Sequence, residues 1–390
     1  MRTLTVTRWT GPPVTDRPST RGRWIWTLTG LATVGLLAWP VVGLIGRAGN
    51  GGQGEFVSAR PTMTRTVIVT QPVTSLSVDS YGAPIQVTAG PVRQVTVTEA
   101  ISYFGPRQAP TVTAAVSDRR LTLDAAACAS TGCTVGFTVT VPSGVAVTAE
   151  SDNGGIAVAG VAGANLDSDG GPVQASHIDG PLSVTSGDGG ITVTDVSAPS
   201  GTNLDSGGGP VQATDINGPL TVSSEDGGIT VADVTAPGVN LDSGGGPIQV
   251  SRVDGPLTVN SEDGGVTVNG LTGNLQADTG GGPFAGDLSS GRASVLTEDG
   301  SVALTFASAP AYVFVDTGGG PAQLTFDQPP DAVMLSTENG SASVSVPGGP
   351  YSVSADSGGG SQTVNVPTAP VAHHTLTVST EGGPLEIVPR

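Results

Sequence analysis

Lysine is absent from this 390-residue sequence, and its 15 cationic side chains are all arginine. Against 33 Asp and Glu they leave a formal net charge of −18. Arg2, Arg8, Arg17, Arg21 and Arg23 crowd the first residues, so the remainder is more acidic still. Such a surface cannot neutralise a phosphate backbone, which excludes nucleic acid as a partner. Aromatic residues make up only 4% of the chain, which argues against cores and blades built on stacked rings. Histidine occurs three times. His177 falls in a turn whose counterparts in later repeats are Asp215 and Arg252, and reads as a solvated corner residue. His373 and His374 read as a loop pair between two strand-like runs. No G-x-S-x-G, H-E-x-x-H or P-loop pattern is present. The chain is therefore expected to be no enzyme, with no catalytic residue and no cofactor.

Only two cysteines occur, Cys128 and Cys133, in the stretch CASTGC. A metal site would need two more soft ligands, and no Cys or His stands nearby. In an oxidising compartment the pair is expected to close a small disulfide ring.

The one long hydrophobic run is Trp24 to Gly46, uncharged and long enough to cross a hydrocarbon core, which takes about 20 residues. Trp24, Trp26 and Trp39 lie toward its two ends, where amphipathic rings prefer the interface. The arginines stand before it. The expectation is a single-pass membrane anchor with residues 1–23 cytoplasmic and everything after Arg47 outside the cell. A cleaved signal peptide is the alternative, but its apolar region would be about 7–15 residues, and GRAGNGG makes a poor cleavage site.

What is abundant is glycine, 59 residues, set among short runs rich in Val, Ile and Thr. The turn D-[ST]-x-G-G recurs at Asp167, Asp205, Asp242, Asp278, Asp316 and Asp356. A second turn alternates with it at Asp152, Asp188, Asp226, Asp263, Asp299, Asn339 and Glu381. The double unit is about 37 residues long and each half about 19. Between turns the pattern alternates with period two, so the runs are strands with one buried face. Val173, Leu182, Val184, Ile191 and Val193 should point inward, and Gln174, Ser183 and Thr192 outward. Glycine suits the tight corners, and the small inward residues suit a thin core with no room for aromatics.

These features predict an all-β chain, a parallel β-solenoid (β-helix) of about 19-residue coils preceded by one transmembrane helix. A propeller is the competing architecture, since the double unit has the length of a blade, yet its two halves resemble each other and lack blade aromatics. The expected organisation is a basic tail over 1–23, an anchor over 24–46 and a linker over 47–64. N-terminal coils with a cap and the Cys loop then occupy 65–148, and regular repeats 149–390.

A basic N-terminus, one membrane helix, a Cys-containing first third, the stretch VTVPSGVAVTAESDNGGIAV from Val139 to Val158, and repeated G-x-[IV]-x-V coils occur together here. This combination resembles the bacterial adhesin-like family of membrane-anchored β-strand-repeat proteins, a domain-of-unknown-function group. The resemblance covers roughly Val67 to Val388. It implies an exported β-solenoid with an adhesive or envelope role and no catalytic residues to carry over.

The carboxylates remain to be weighed. Asp188, Asp226, Asp263 and Asp299 should form a file along one corner, and such a file could hold Ca²⁺, which takes six to eight oxygens. The competing reading is that each Asp bonds its own turn backbone. The expected function is a non-catalytic, membrane-tethered extracellular module that binds an envelope or surface partner or acts as a scaffold. Alternatives are a polysaccharide-active β-helix enzyme, a calcium-stiffened surface rod, and an ice- or mineral-binding array built on outward Thr192, Thr230 and Thr267.

Overall fold

Alternation of apolar and polar residues over runs mostly of five to seven positions, broken by glycine-rich turns, produces 33 short strands among the described residues of a computed structural model of the chain. The structure describes residues 62–103, 112–125, 128 and 132–390. The expected anchor, with Trp24, Trp26 and Trp39, lies outside the described residues. Among the described residues no helix is long and apolar enough to cross a membrane.

The strands are numbered β1 to β33 in chain order, and they form two sheets facing each other. Strand β8 (Ala146–Ser151) belongs to the first sheet and β9 (Ile156–Ala159) to the second. Together they make one coil. Counting this one, the pair occurs thirteen times among the described residues, ending with β32 (Thr375–Thr380) and β33 (Leu385–Pro389). Within each sheet, successive coils pair parallel and in register. Leu166 stands beside Val184 in the first sheet, and Val173 beside Ile191 in the second. The expected solenoid of about 19-residue coils is therefore the observed one, and the inward and outward assignments of the first unit hold.

The core is the space between the sheets. Each regular coil contributes a short aliphatic set, for example Leu166 from the first sheet and Val173, Ala175 and Ile178 from the second. Burying one such Val, Leu or Ile contributes about 1.5–3 kcal/mol, but only once a neighbouring coil covers it. The repeat is thus a unit that cannot bury its own apolar face.

Ile178 follows two successive outward residues, Ser176 and His177, and the cause is a left-handed residue in the strand. His177, Asp195, Asp215, Asp233 and Arg252 have φ between +53° and +56°, and Gly270 continues them at +69°. Each inserts one extra residue, bends the strand like a bulge, and turns the next side chain back into the core. Asp and Gly tolerate this region better than other residues, which is why the position favours them.

After Gly270 the device ends. The pairing of β21 (Val266–Thr272) with β23 (Phe284–Ser290) is irregular, and later coils of the second sheet run straight. Aromatic residues then enter the core. Phe306 and Phe326 occupy the register position held earlier by Ile216 and Val234, and their rings stack at 4.9 Å. The expectation of a core without aromatics is corrected here, since Phe137, Phe284, Phe306, Phe326 and Tyr351 are fully buried. Without the extra residue, plain alternation still turns the strand's last side chain inward, and a larger ring fills that register position.

Both ends depart from the simple stack. At the N-terminal end β2 (Ser75–Ser80) lies between β6 (Arg120–Asp124) and β8, and β3 (Ile85–Gly90) lies between β7 (Thr134–Pro142) and β9. Outside them two antiparallel strands cover the second sheet. These are β4 (Val95–Ser102), paired with β7, and β1 (Thr62–Val69), paired with β4. Strand β5 (Thr113–Ser117) covers the first sheet in the same way. At the C-terminal end, β32 is wedged between β28 (Ala332–Thr337) and β30 (Ser352–Asp356). Likewise β33 is wedged between β29 (Ala342–Val346) and β31 (Gln362–Val364). The outermost coil is thus the penultimate one in sequence. Tyr351 is buried beneath it, its hydroxyl donating to the Pro347 carbonyl at 2.8 Å.

Candidate functional site

With the interior filled by side chains, the molecule's chemistry lies on its corners and on the outer faces of the two sheets. The glycine corner is held from inside. In most coils the last inward residue of the first-sheet strand is a buried Ser or Thr whose hydroxyl donates to the carbonyl three residues on. Examples are Ser206 to Gly209 at 2.8 Å, Ser243 to Gly246 at 2.9 Å and Thr317 to Gly320 at 2.7 Å. Successive corners also nest closely. A Cβ built on Gly209 would stand 2.3 Å from the Gly189 carbonyl oxygen, so only glycine fits there.

The reading that competes with calcium binding has each stacked Asp bond its own turn backbone, and at the D-[ST]-x-G-G corner the structure gives that role to the next residue. Asp205 and Asp242 point outward because strand side chains alternate, while Ser206 and Ser243 point in. Asp356 alone of its set bonds its turn, accepting from the Gly358 N–H at 3.0 Å. The signal was present in the sequence as a Ser or Thr at S/T-x-x-G in nearly every coil.

The acids do form files, but not continuous ones. Asp188, Asp226, Asp263 and Asp299 occupy one corner, with Gly208, Gly245, Gly281 and Gly319 from the intervening coils against their carboxylates. On the adjacent strand, Asp205, Asp242 and Asp278 alternate with Ser223 and Asn260. In these regular coils the carboxylates of one file thus stand two coils apart, about 10 Å at ~4.8 Å per strand. The Thr array is interrupted in the same way, Thr192, Thr230 and Thr267 alternating with Gln212 and Gln249.

The densest acid lies near the N-terminal end, where Asp124, Asp79, Glu150 and Asp167 occupy consecutive rungs of one register file. Partial burial, followed by repulsion from Asp124, Glu150 and Asp152, raises the Asp79 carboxyl above its usual range. Among the described residues no three His, Cys, Asp or Glu side chains are grouped so as to hold a metal ion.

His177 is exposed, with Nε2 3.3 Å from the Asp195 carboxylate on the next coil. His374 places Nδ1 2.9 Å from the Pro330 carbonyl oxygen, while His373 is exposed. The three histidines do not converge. Cys128 and Cys133 form a disulfide, and both are buried. Beside this end, Glu99 is fully buried in β4 and faces Arg65 of β1 at 3.1 Å. Burial raises its carboxyl above the usual range, against the lowering influence of Arg65.

No curated protein matches the chain. Among solved structures, a candidate cell adhesion protein from Clostridium sporogenes is similar at 7% identity and a TM-score of 0.18, over 85% of this chain and 100% of that one. A candidate adhesin from Bacteroides fragilis is similar at 13% identity and a TM-score of 0.17, over 84% and 97%. A candidate lipid-binding protein from Parabacteroides distasonis is similar at 8% identity and a TM-score of 0.24, over 83% and 96%. The sequence profile of the toastrack family, DUF4097, matches residues 73–387, from just ahead of β2 into β33. The chain belongs to the toastrack family.

Proposed function

We propose that this chain is a non-catalytic, membrane-tethered module outside the cell, an adhesin-like solenoid that binds a surface partner or serves as an envelope scaffold. One observation carries the reading. Its polar side chains are spread as files over two outer faces, and its apolar ones close the space between the sheets. Catalysis needs unlike groups converging on one reacting atom, whereas a repeated file offers the same group again and again. The disulfide supports an oxidising compartment. The run Trp24 to Gly46, with arginines ahead of it, supports the tether and the orientation.

The test has two arms. Protease added to intact cells expressing the chain should remove the coils and spare residues 1–23. Cell-wall polysaccharides incubated with the purified chain should keep their length distribution. Coils protected from protease would place them on the other side of the membrane, and a shortened polysaccharide would make the chain an enzyme.

A further inference from the structure

The repeat marks the place where the chain stops obeying it. The residue opening each first-sheet strand is Gly163, Pro181, Gly201, Pro219, Gly238 and Pro256 in six successive coils. In the next three coils the same register position holds Asn274, Arg292 and Tyr312. Together with Thr258, Gln276 and Ser294 these side chains line a groove of about 300 Å³ on the outer face. The break coincides with the coils in which the opposite sheet loses its left-handed file.

The chemistry of the groove differs from the rest of the surface. Only three arginines follow Arg120 in the sequence. Arg252 is held by Asp233 and Arg390 by Asp327. Arg292 is exposed and has no carboxylate within ion-pairing distance among the described residues. The Asn274 amide oxygen accepts the Arg292 backbone N–H at 3.0 Å, which leaves the amide NH₂ for another acceptor. Tyr312 is 39% exposed and follows Arg292 in register. Two residues along its strand, on the same face, is Phe314, flanked in register by Ser294 and the 42%-exposed Met334, with Leu296 diagonal to it, on a face otherwise built mainly of Asn, Asp, Ser and Thr.

We propose that this groove binds a glycan through a sugar that carries a carboxylate. A guanidinium matches a carboxylate with two parallel hydrogen bonds, and does so best when no other acid occupies it. An exposed tyrosine offers a ring face to the C–H face of a pyranose and a hydroxyl to its rim. The amides of Asn274 and Gln276 and the hydroxyls of Thr258 and Ser294 donate and accept as sugar hydroxyls require. The neighbouring acids set a limit. Asp278 and Asp316 flank Leu296 in the next register file, so a long polyanion would run onto like charge. The ligand is therefore a mixed glycan with isolated acidic sugars. This inference rests on reading the chain as a binding module.

The experiment is calorimetric titration of the full chain, in mild detergent, with a tetrasaccharide bearing one glucuronate. Its methyl ester, which keeps the sugar faces and removes the charge, is titrated alongside. Wild type should bind the acid at least tenfold more tightly than the ester. Arg292→Ala and Tyr312→Ala should each weaken binding at least tenfold, with Arg292→Lys between Ala and wild type, at unchanged melting temperatures. Equal binding by wild type and Arg292→Ala, tighter binding of a glutamate hexapeptide than of the sugar, or no binding at all would each overturn the assignment. Retention on intact bacterial envelopes, measured in parallel, separates the two readings. If envelopes retain wild type and Arg292→Ala equally while the tetrasaccharide does not bind, the groove fails and the module stands. If envelopes do not retain the chain either, both fail.

Discussion

The Arg252 guanidinium grips the Asp233 carboxylate of the neighbouring coil, with Nε 2.5 Å from Oδ1 and Nη2 2.6 Å from Oδ2. Both residues are left-handed, at φ +53° and +55°. The fork holds the Asp233 carboxyl below its usual range, yet both side chains are solvated, where an ion pair contributes little. The file is set by backbone geometry first and by charge second.

Asp215 separates the two effects. It shares the left-handed conformation, at φ +56°, and among the described residues forms no salt bridge, acting on Arg252 only as its weakest charge influence. Asp215→Gly is expected to raise stability by about 1 kcal/mol through relief of that conformation. Asp215→Val should lower the melting temperature, because a β-branched residue resists positive φ. Thermal unfolding of the two variants checks the order.

The inward hydroxyls give a second contrast. Ser206→Ala removes the donor to the Gly209 carbonyl and should cost about 1–3 kcal/mol. Ser224 occupies the equivalent place, but its buried hydroxyl has no hydrogen-bond partner, so Ser224→Ala should be nearly neutral. Thr202 also buries an unpaired hydroxyl at a position where Leu182 and Leu220 stand on either side. Thr202→Val is expected to stabilise the chain. Equal losses at Ser206 and Ser224 in denaturant titrations would contradict this account of the corner.

Adjacent glycines should respond very differently. Gly209→Ala drives a methyl group to 2.3 Å from the Gly189 carbonyl oxygen, while Gly208→Ala meets only Asp188, at ordinary contact distance from 3.6 Å. The first should unstack the coil at a cost of several kcal/mol, the range reached by severe overpacking. The second should change stability by less than about 0.5 kcal/mol, as surface substitutions do. Limited proteolysis at this corner reports which coil has opened.

The N-terminal end should be stabilised by acid. Asp79 is raised from its ordinary value of 3.8, chiefly by burial and then by neighbouring carboxylates. A raised carboxyl binds its proton more tightly in the fold. Its stabilising contribution is complete below the unfolded value and is lost as pH rises through the folded value. Asp79→Asn should therefore raise the melting temperature at pH 7 and give no gain near pH 3. Glu99, raised from 4.5 by burial against Arg65, carries the same sign. Glu99→Gln should flatten the pH dependence of amide exchange in β1 and β4.

The acid files make a further prediction. Since Asp188, Asp226, Asp263 and Asp299 stand about 10 Å apart, and no three acids among the described residues are grouped to hold a metal, calcium titration should give no saturable rise in melting temperature, and a chelator no fall. A saturable rise would turn Asp188, Asp226, Asp263 and Asp299 into sites and favour the calcium-stiffened rod.

How much of this was legible in the sequence depends on period. Two-residue alternation and the recurring corner were enough for Val173, Leu182 and Ile191 to be assigned inward, and for the parallel coil to follow. The left-handed file was hidden, because His177, Asp195 and Arg252 share a backbone conformation and no chemistry. The groove was hidden for the opposite reason. Asn274, Arg292 and Tyr312 lie on three different coils and meet only when those coils stack. The corner hydroxyls were visible as letters, but their role depended on which way Ser206 points relative to Asp205.

The wedged coil sets an order in time. Strands β32 and β33 come last in the sequence of strands yet stand inside β30 and β31. A chain laying down coils in order of sequence can stack them one by one only as far as β29. The next coil must then wait, with its place beside β28 and β29 reserved for strands still to arrive. Closure of that end becomes a single late event rather than one more step of growth, and residues 375–389 act as the latch.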